Sequence, residues 1–229
     1  MTSIPKPRLK FILDYLAQHE EFAHGQGYAS LNNPFQVAPQ DYLRFARSNL
    51  ESGAEDSNIN ALANAKRALD SQLNSILATF LTSFDKDSRW GKNVPKRLEF
   101  LQKIGAVTPN ILGKINRARN SLEHDFVNPS RSDVEMALDV VTIFVEYTTA
   151  LFGVFPIDVF LDSIEVSINS SEMLGGISLC FDPVEKTLFI TCYVHGEKDR
   201  EEEYILKSDD DVFPDILKGL IHRKPLLKY

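Results

Sequence analysis

Cysteine is scarce in this chain. Cys180 and Cys192 are the only two in 229 residues, too few for a disulfide framework at this length, and neither has a His or Cys at metal-ligand spacing. Both are expected in strands, as small apolar residues. A hairpin turn centred in Asp182 to Lys186 would set Cys180 opposite Leu188 and not Cys192, which argues against a bridge between them. Long apolar runs are missing as well. None approaches the roughly 18 to 20 uncharged residues of a membrane span, and Val140 to Phe155 is interrupted by Glu146 and several threonines. The opening MTSIPKPRLKFILDYL has no apolar h-region followed by a cleavage site. A cytoplasmic chain with no membrane contact is therefore expected.

Several chemical signatures are also absent. Gly175-Gly176 lies in no P-loop or GxGxxG pattern, and no serine stands on a nucleophile elbow. HEEFAH, His19 to His24, looks superficially like a zinc-protease helix, but its histidines are five apart and diverge by about 140°, whereas the metal motif needs them about 40° apart. The acidic runs Glu201 to Glu203 and Asp209 to Asp211 match no calcium loop and read as solvated turn and edge-strand charge. No metal and no cofactor are expected, and no internal repeat or low-complexity segment is seen.

What is present divides at Pro156. Before it, helical periodicity predicts helices over Pro7 to Ala23, Gln40 to Leu50, Asn58 to Phe84, Lys96 to Ile104 and Asn110 to Leu122, with Gly105 as a C′ residue. A long apolar helix follows from Ser132 to Phe152, with Ser132 as N-cap and Glu135 as its capping-box partner. After Pro156 the pattern changes to period two in Ile164 to Ile168. Further strands are predicted at Ile177 to Phe181, Leu188 to Val194 and Glu202 to Leu206, with a closing helix at Val212 to His222. The fold class is α+β: an all-α bundle over 1–155, then a small antiparallel β-meander with a closing helix over 156–229. A bare hairpin is marginal, so the closing helix gives the sheet something to pack on.

The net charge of −7 argues against a nucleic-acid partner until its distribution is considered. Residues 86–131 carry ten basic and four acidic side chains, net +6, while 1–85, 132–154 and 155–229 are net −2, −4 and −7. The basic stretch holds the string RNSLEH, Arg119 to His124. A guanidinium that stays protonated can hold a phosphate, and an imidazole with an unperturbed pKa near ~6.5 can move a proton at a ribose or leaving oxygen. That pairing points to phosphodiester chemistry without a metal. Lys114, Arg117, Lys96 and Arg97 are candidates for holding an RNA backbone beside it, against the alternative of a solvated helix face. The bland reading of the motif itself is a surface Arg119, a helix-ending Asn120 and a His124 favoured by the helix dipole.

Helix, Arg-Asn-x3-His, break, long apolar helix: this arrangement resembles the HEPN superfamily, whose signature is an Arg, a polar residue and then a His at a junction of helices. The resemblance covers roughly Leu9 to Phe152 by helix pattern and is motif-specific at Arg119, Asn120 and His124. It implies a HEPN-like bundle and a metal-independent endoribonuclease of toxin or phage-defence type. Its catalytic residues would be His124 as general base or acid, Arg119 on the phosphoryl oxygens, and Asn120 orienting the imidazole or the phosphate. Glu123 points elsewhere on a regular helix and is a weak candidate for tuning His124. Arg119 and His124 are five apart and diverge on a straight helix, so either the helix unwinds or a second subunit completes the site. The resemblance implies the second, a homodimer with facing motifs. RNA as substrate and a protein antitoxin or regulatory partner complete that expectation. The alternative is a catalytically silent HEPN-like dimer serving as a binding or regulatory module.

Overall fold

The computed structural model describes residues 4–18, 21–22, 25, 27–106 and 129–225. In chain order these form α1 (Lys6–Gln18), β1 (Glu21–Phe22), β2 (Tyr28–Ala29), α2 (Pro39–Ser52), α3 (Ser57–Phe80), α4 (Val94–Lys103), α5 (Arg131–Phe152), β3 (Phe155–Pro156), β4 (Asp158–Ser167), β5 (Met173–Asp182), β6 (Thr187–His195), β7 (Arg200–Lys207), α6 (Phe213–Ile221) and β8 (Lys224–Pro225). The architecture is mixed α+β. The segment Asn110 to Leu122, read from sequence as a helix, lies outside the described residues.

The chain divides into two compact units, Leu31–Thr79 with Ser83–Gly153, and Met1–Ser30 with Phe80–Thr82 and Val154–Tyr229. The division is not a single cut near Pro156, because the first thirty residues group with the sheet. The all-α character expected from residue 1 is interrupted there. Glu21–Phe22 pairs in parallel with Lys224–Pro225, and Tyr28–Ala29 pairs antiparallel with Phe155–Pro156. Those partners are more than a hundred residues distant, which helical periodicity cannot register.

In the helical unit, α3 follows from small and branched apolar residues at three-four spacing. Ala61, Ala65, Ala68, Leu69, Leu73, Ile76 and Leu77 are all buried, one continuous face of a helix. It ends at Phe80 and not Phe84: the Thr82 amide donates to Ser208 Oγ, 126 residues on, in place of a helical carbonyl, and further along the Asp87 and Ser88 amides donate to Asp85 Oδ1. Side chains of this kind compete with helical hydrogen bonds. Helix α4 closes on Gly105 at φ 75°, with the Ala106 amide bonded to the Leu101 carbonyl and the Gly105 amide to that of Gln102. That is a Schellman motif, and it needs the left-handed conformation that glycine supplies. The N-cap of helix α5 lies two residues before the predicted one. Ser130 is the N-cap, accepting from the Asp133 amide, while Glu135 pairs with Arg131. Both Ser130 and Ser132 stand three residues before an acid, and the pattern alone does not choose between them.

Polar groups inside this unit are paired across helices. Gln72 Nε2 donates to Thr148 Oγ1 at 2.8 Å and Thr149 Oγ1 at 3.3 Å, and Thr79 Oγ1 donates to the Ser75 carbonyl while accepting from the Asn32 amide. Arg47 Nη2 and Gln40 Nε2 of α2 donate to Thr142 and Thr149 of α5, and Arg131 caps the Leu50 carbonyl. The order of these contacts makes α2 and α5 antiparallel neighbours.

In the sheet unit, β4, β5, β6 and β7 form an antiparallel meander in sequence order. Alternation sorts the faces: Leu179, Phe181, Leu188, Ile190, Cys192, Val194, Tyr204 and Leu206 are buried, whereas Phe189 and Ile205 are exposed. Cys180 pairs with Phe189, one residue from the expected Leu188, and Cys192 pairs with Ile177. The two cysteines therefore lie on opposite faces and both are free thiols. The inner face packs on rings: Phe80 lies 5.1 Å from Phe155 and 5.9 Å from Phe181, and Phe213 of α6 lies 6.4 Å from Phe181. Helix α6 lies close against α1, where a Cβ on Gly219 would approach Leu16 Cδ1 to 2.9 Å. Both ends of the chain thereby contribute helices to the sheet.

Candidate functional site

Arg119, Asn120 and His124, with Lys114 and Arg117, lie outside the described residues. The described parts of the basic stretch are residues 86–106, which hold the loop after α3 and helix α4, and residues 129–131, which lead into α5. Trp90 is buried, 5.6 Å from Phe100, with the Arg89 guanidinium 5.1 Å from its ring. A Cβ on Gly91 would fall 2.0 Å from the Phe84 backbone, so the loop closes only with glycine there. Asn93 caps α4 by accepting from the Lys96 amide at 3.0 Å.

Lys96 and Arg97 stand together on the first turn of α4 but do different things. Arg97 Nε donates to the Gly91 carbonyl at 3.1 Å and Nη1 to Asn74 Oδ1 at 2.8 Å, tying the loop to α3. Its guanidinium is committed to structure. Lys96 Nζ contacts Glu99 Oε2 at 2.6 Å, both side chains being exposed. Such a surface pair is worth little and exchanges readily for another anion.

Sequence reasoning missed two constellations. The first is on the inner face of the sheet unit. Arg8 of α1, 9% exposed, grips Glu202 of β7 with two hydrogen bonds, Nε to Oε2 at 2.8 Å and Nη2 to Oε1 at 3.0 Å. Tyr204 OH donates to Glu202 Oε2 at 2.8 Å, and Arg200 Nη2 donates to Oε1 at 2.9 Å while its Nη1 reaches Glu172. Burial pushes the Glu202 pKa up, but hydrogen bonds from Arg8, Tyr204 and Arg200 outweigh it and leave the carboxyl below its ordinary value. Burial, then Glu202, push the Tyr204 phenol up to about 12. Burial pushes the Cys192 thiol to about 12 as well. A doubly gripped carboxylate, a protonated phenol and an inert thiol hold α1 to the sheet and offer no reacting group. The signal for it was thin: one arginine in the first helix and one acid inside a run of three.

The second is an apolar row on α5 in which Met136, Ile143, Tyr147 and Ala150 are exposed and Val140 is half-buried. Its spacing is written in the sequence, but the same helix is apolar on its buried face, and the two periodicities overlap.

Among the described residues, no group of three or more His, Cys, Asp and Glu side chains is placed to hold a metal ion, and no helix is long and apolar enough to cross a membrane. Comparison with known proteins found no matching family model, curated protein or solved structure.

Proposed function

We propose that the protein is a metal-independent endoribonuclease of toxin or phage-defence type, with a HEPN-like helical region that dimerises through the motif-bearing segment. The observation that carries this reading is the Arg119-Asn120-x3-His124 string in the only basic segment of an acidic chain. His124 moves the proton at the 2′-hydroxyl or the leaving 5′-oxygen, Arg119 neutralises charge on the phosphoryl oxygens, and Asn120 orients one or the other. Lys114, Arg117 and Lys96 add phosphate contacts. Arg97, engaged with Gly91 and Asn74, contributes to the shape of the loop and is a weaker phosphate ligand than the sequence suggests.

A second reading, a catalytically silent dimeric binding module, is favoured by the exposed row on α5, which a nuclease alone does not need. The two separate in one assay. Wild type, His124→Ala and Arg119→Ala are incubated with total cellular RNA, with and without EDTA, and fragment ends are mapped. Cleavage is expected to survive EDTA and to fall by about 10² to 10⁴ in His124→Ala, the usual worth of general acid-base catalysis. Undiminished cleavage in both variants removes the assigned site. No cleavage by wild type of any RNA favours the binding module.

A further inference from the structure

Helix α5 buries one face and leaves a second apolar row outside. Val134, Ala137, Leu138, Val141, Phe144, Val145, Thr148 and Phe152 are buried, which already gives the helix its core stripe. Met136 is nevertheless 65% exposed, Ile143 64% and Tyr147 48%. With the half-buried Val140 and the exposed Ala150 they recur at four-three-four-three spacing. At 100° per residue these five occupy a band about 80° wide and about 21 Å long. A narrow seam of this period is what a partnering helix packs into, knob into hole. Scattered exposed apolar residues need no explanation, but a row kept in phase over four turns is not scatter.

Charge says which helix. Asp139 and Glu146 are seven residues apart and border the row on the same flank, and neither has a hydrogen bond or ion pair among the described residues. Between 132 and 154 the chain has four acidic side chains and no basic one; from the neighbouring helix α2, Arg47 donates to Thr142 Oγ1 on the same side of α5. The opposite flank, Ala137 and Phe144, is turned into the unit's own core. Flanking charges of a helical seam set partner choice and orientation. Packing α5 against a copy of itself in antiparallel fashion brings Asp139 of one near Glu146 of the other, which repel.

We infer that the exposed row of α5 is a docking seam for an amphipathic helix of another protein, apolar at heptad spacing and carrying Lys or Arg along the flank that faces Asp139 and Glu146. The inference is independent of the ribonuclease reading. The binding energy comes from covering Met136, Ile143 and Tyr147, and the carboxylates select the partner.

The test uses the full chain and two fluorescein-labelled 21-residue helical peptides, both with Leu and Ile at the seam positions, one with Lys and one with Glu at the flanks. Fluorescence anisotropy is expected to give saturable binding of the Lys peptide and at least tenfold weaker binding of the Glu peptide. Ile143→Asp should abolish binding, although it adds negative charge, and the double variant Asp139→Lys, Glu146→Lys should reverse the preference. Circular dichroism of each variant checks that the fold persists. Failure of the Lys peptide to bind, equal binding of both peptides, or binding that survives Ile143→Asp overturns the proposal. So does a homodimer in sedimentation that Ile143→Asp dissociates, since the seam is then occupied by a second copy.

Discussion

Glu202 in the sheet unit and Asp139 in the helical unit are carboxylates on regular elements, in opposite circumstances. Glu202 accepts from Arg8, Arg200 and Tyr204 on the inner side of a sheet. Asp139, like Glu146 a heptad later, borders exposed apolar side chains and is held by nothing among the described residues. Folding accounts for the first: a carboxylate taken out of water must find donors. It does not account for the second, because an ordinary polar residue in place of Met136 or Ile143 would satisfy the helix equally well. Residues that folding leaves unexplained are those for which recognition is the economical explanation.

The largest expected effect tests the packing side of that contrast. Phe181→Ala removes a fully buried ring in contact with Phe80 and Phe213 and should lower unfolding free energy by about 3 to 5 kcal/mol. Ile143→Ala, on the α5 row, should change it by no more than about 0.5 kcal/mol. Urea denaturation of the two variants decides it. Comparable losses would mean that the row is buried in the free protein and the contrast is false.

The next effect concerns the carboxylate. Arg8→Met should cost about 2 kcal/mol at neutral pH, less than the 3 to 5 typical of breaking a fully buried pair because Arg200 still donates to Glu202. Glu202 is depressed in the fold, so its contribution is present above the unfolded value near ~4.3 and is lost as pH falls through the folded one. Tyr204 is raised to about 12, so its contribution is present below the unfolded value near ~10 and is lost as pH rises towards the folded one. Stability of the sheet unit should therefore be level between those limits and fall outside both. In Arg8→Met the burial that opposes Glu202 ionisation loses its main counterweight, and the gap from wild type should narrow below about pH 4. A gap constant from pH 7 to pH 3 would show that Arg8 acts by packing alone.

Local order was legible in the sequence wherever one period ruled a segment. The stripe from Ala61 to Leu77 and the alternation of Leu188 to Val194 each have one buried face, and Gly105 announced the end of α4. What was not legible depends on distance along the chain. Nothing near Glu21 reveals Lys224, and nothing near Arg8 reveals Glu202. The end of α3 at Phe80 turns on Ser208, again far away. Of the assigned nucleic-acid residues, Lys96 could be weighed by exposure and Arg97 could not, since its partners Asn74 and Gly91 belong to other elements. On α5 the difficulty is different: two apolar faces on one helix blur the period, and only burial separates the row that packs from the row that does not.

The smallest effect separates the two faces of the sheet through its thiols. Cys180 lies on the outer face, half-buried, opposite Phe189, and Cys192 lies buried on the inner face opposite Ile177. Burial raises both thiols, with Asp158 and Asp182 adding to it at Cys180, but Cys192 reaches about 12. The thiolate is the reactive species, so at pH 8 both should react slowly with a thiol reagent, Cys180 faster than Cys192 by more than about tenfold. Cys192 should label only as fast as the sheet unit opens, and Arg8→Met should accelerate it while leaving Cys180 unchanged, since Arg8 closes the inner face alone. Mass spectrometry of peptides from a labelling time course measures both rates at once. Equal rates would mean that the faces are not distinguished as the register requires, and a slip of one residue in β6 would then be the first explanation to examine, because it turns every side chain of the strand over.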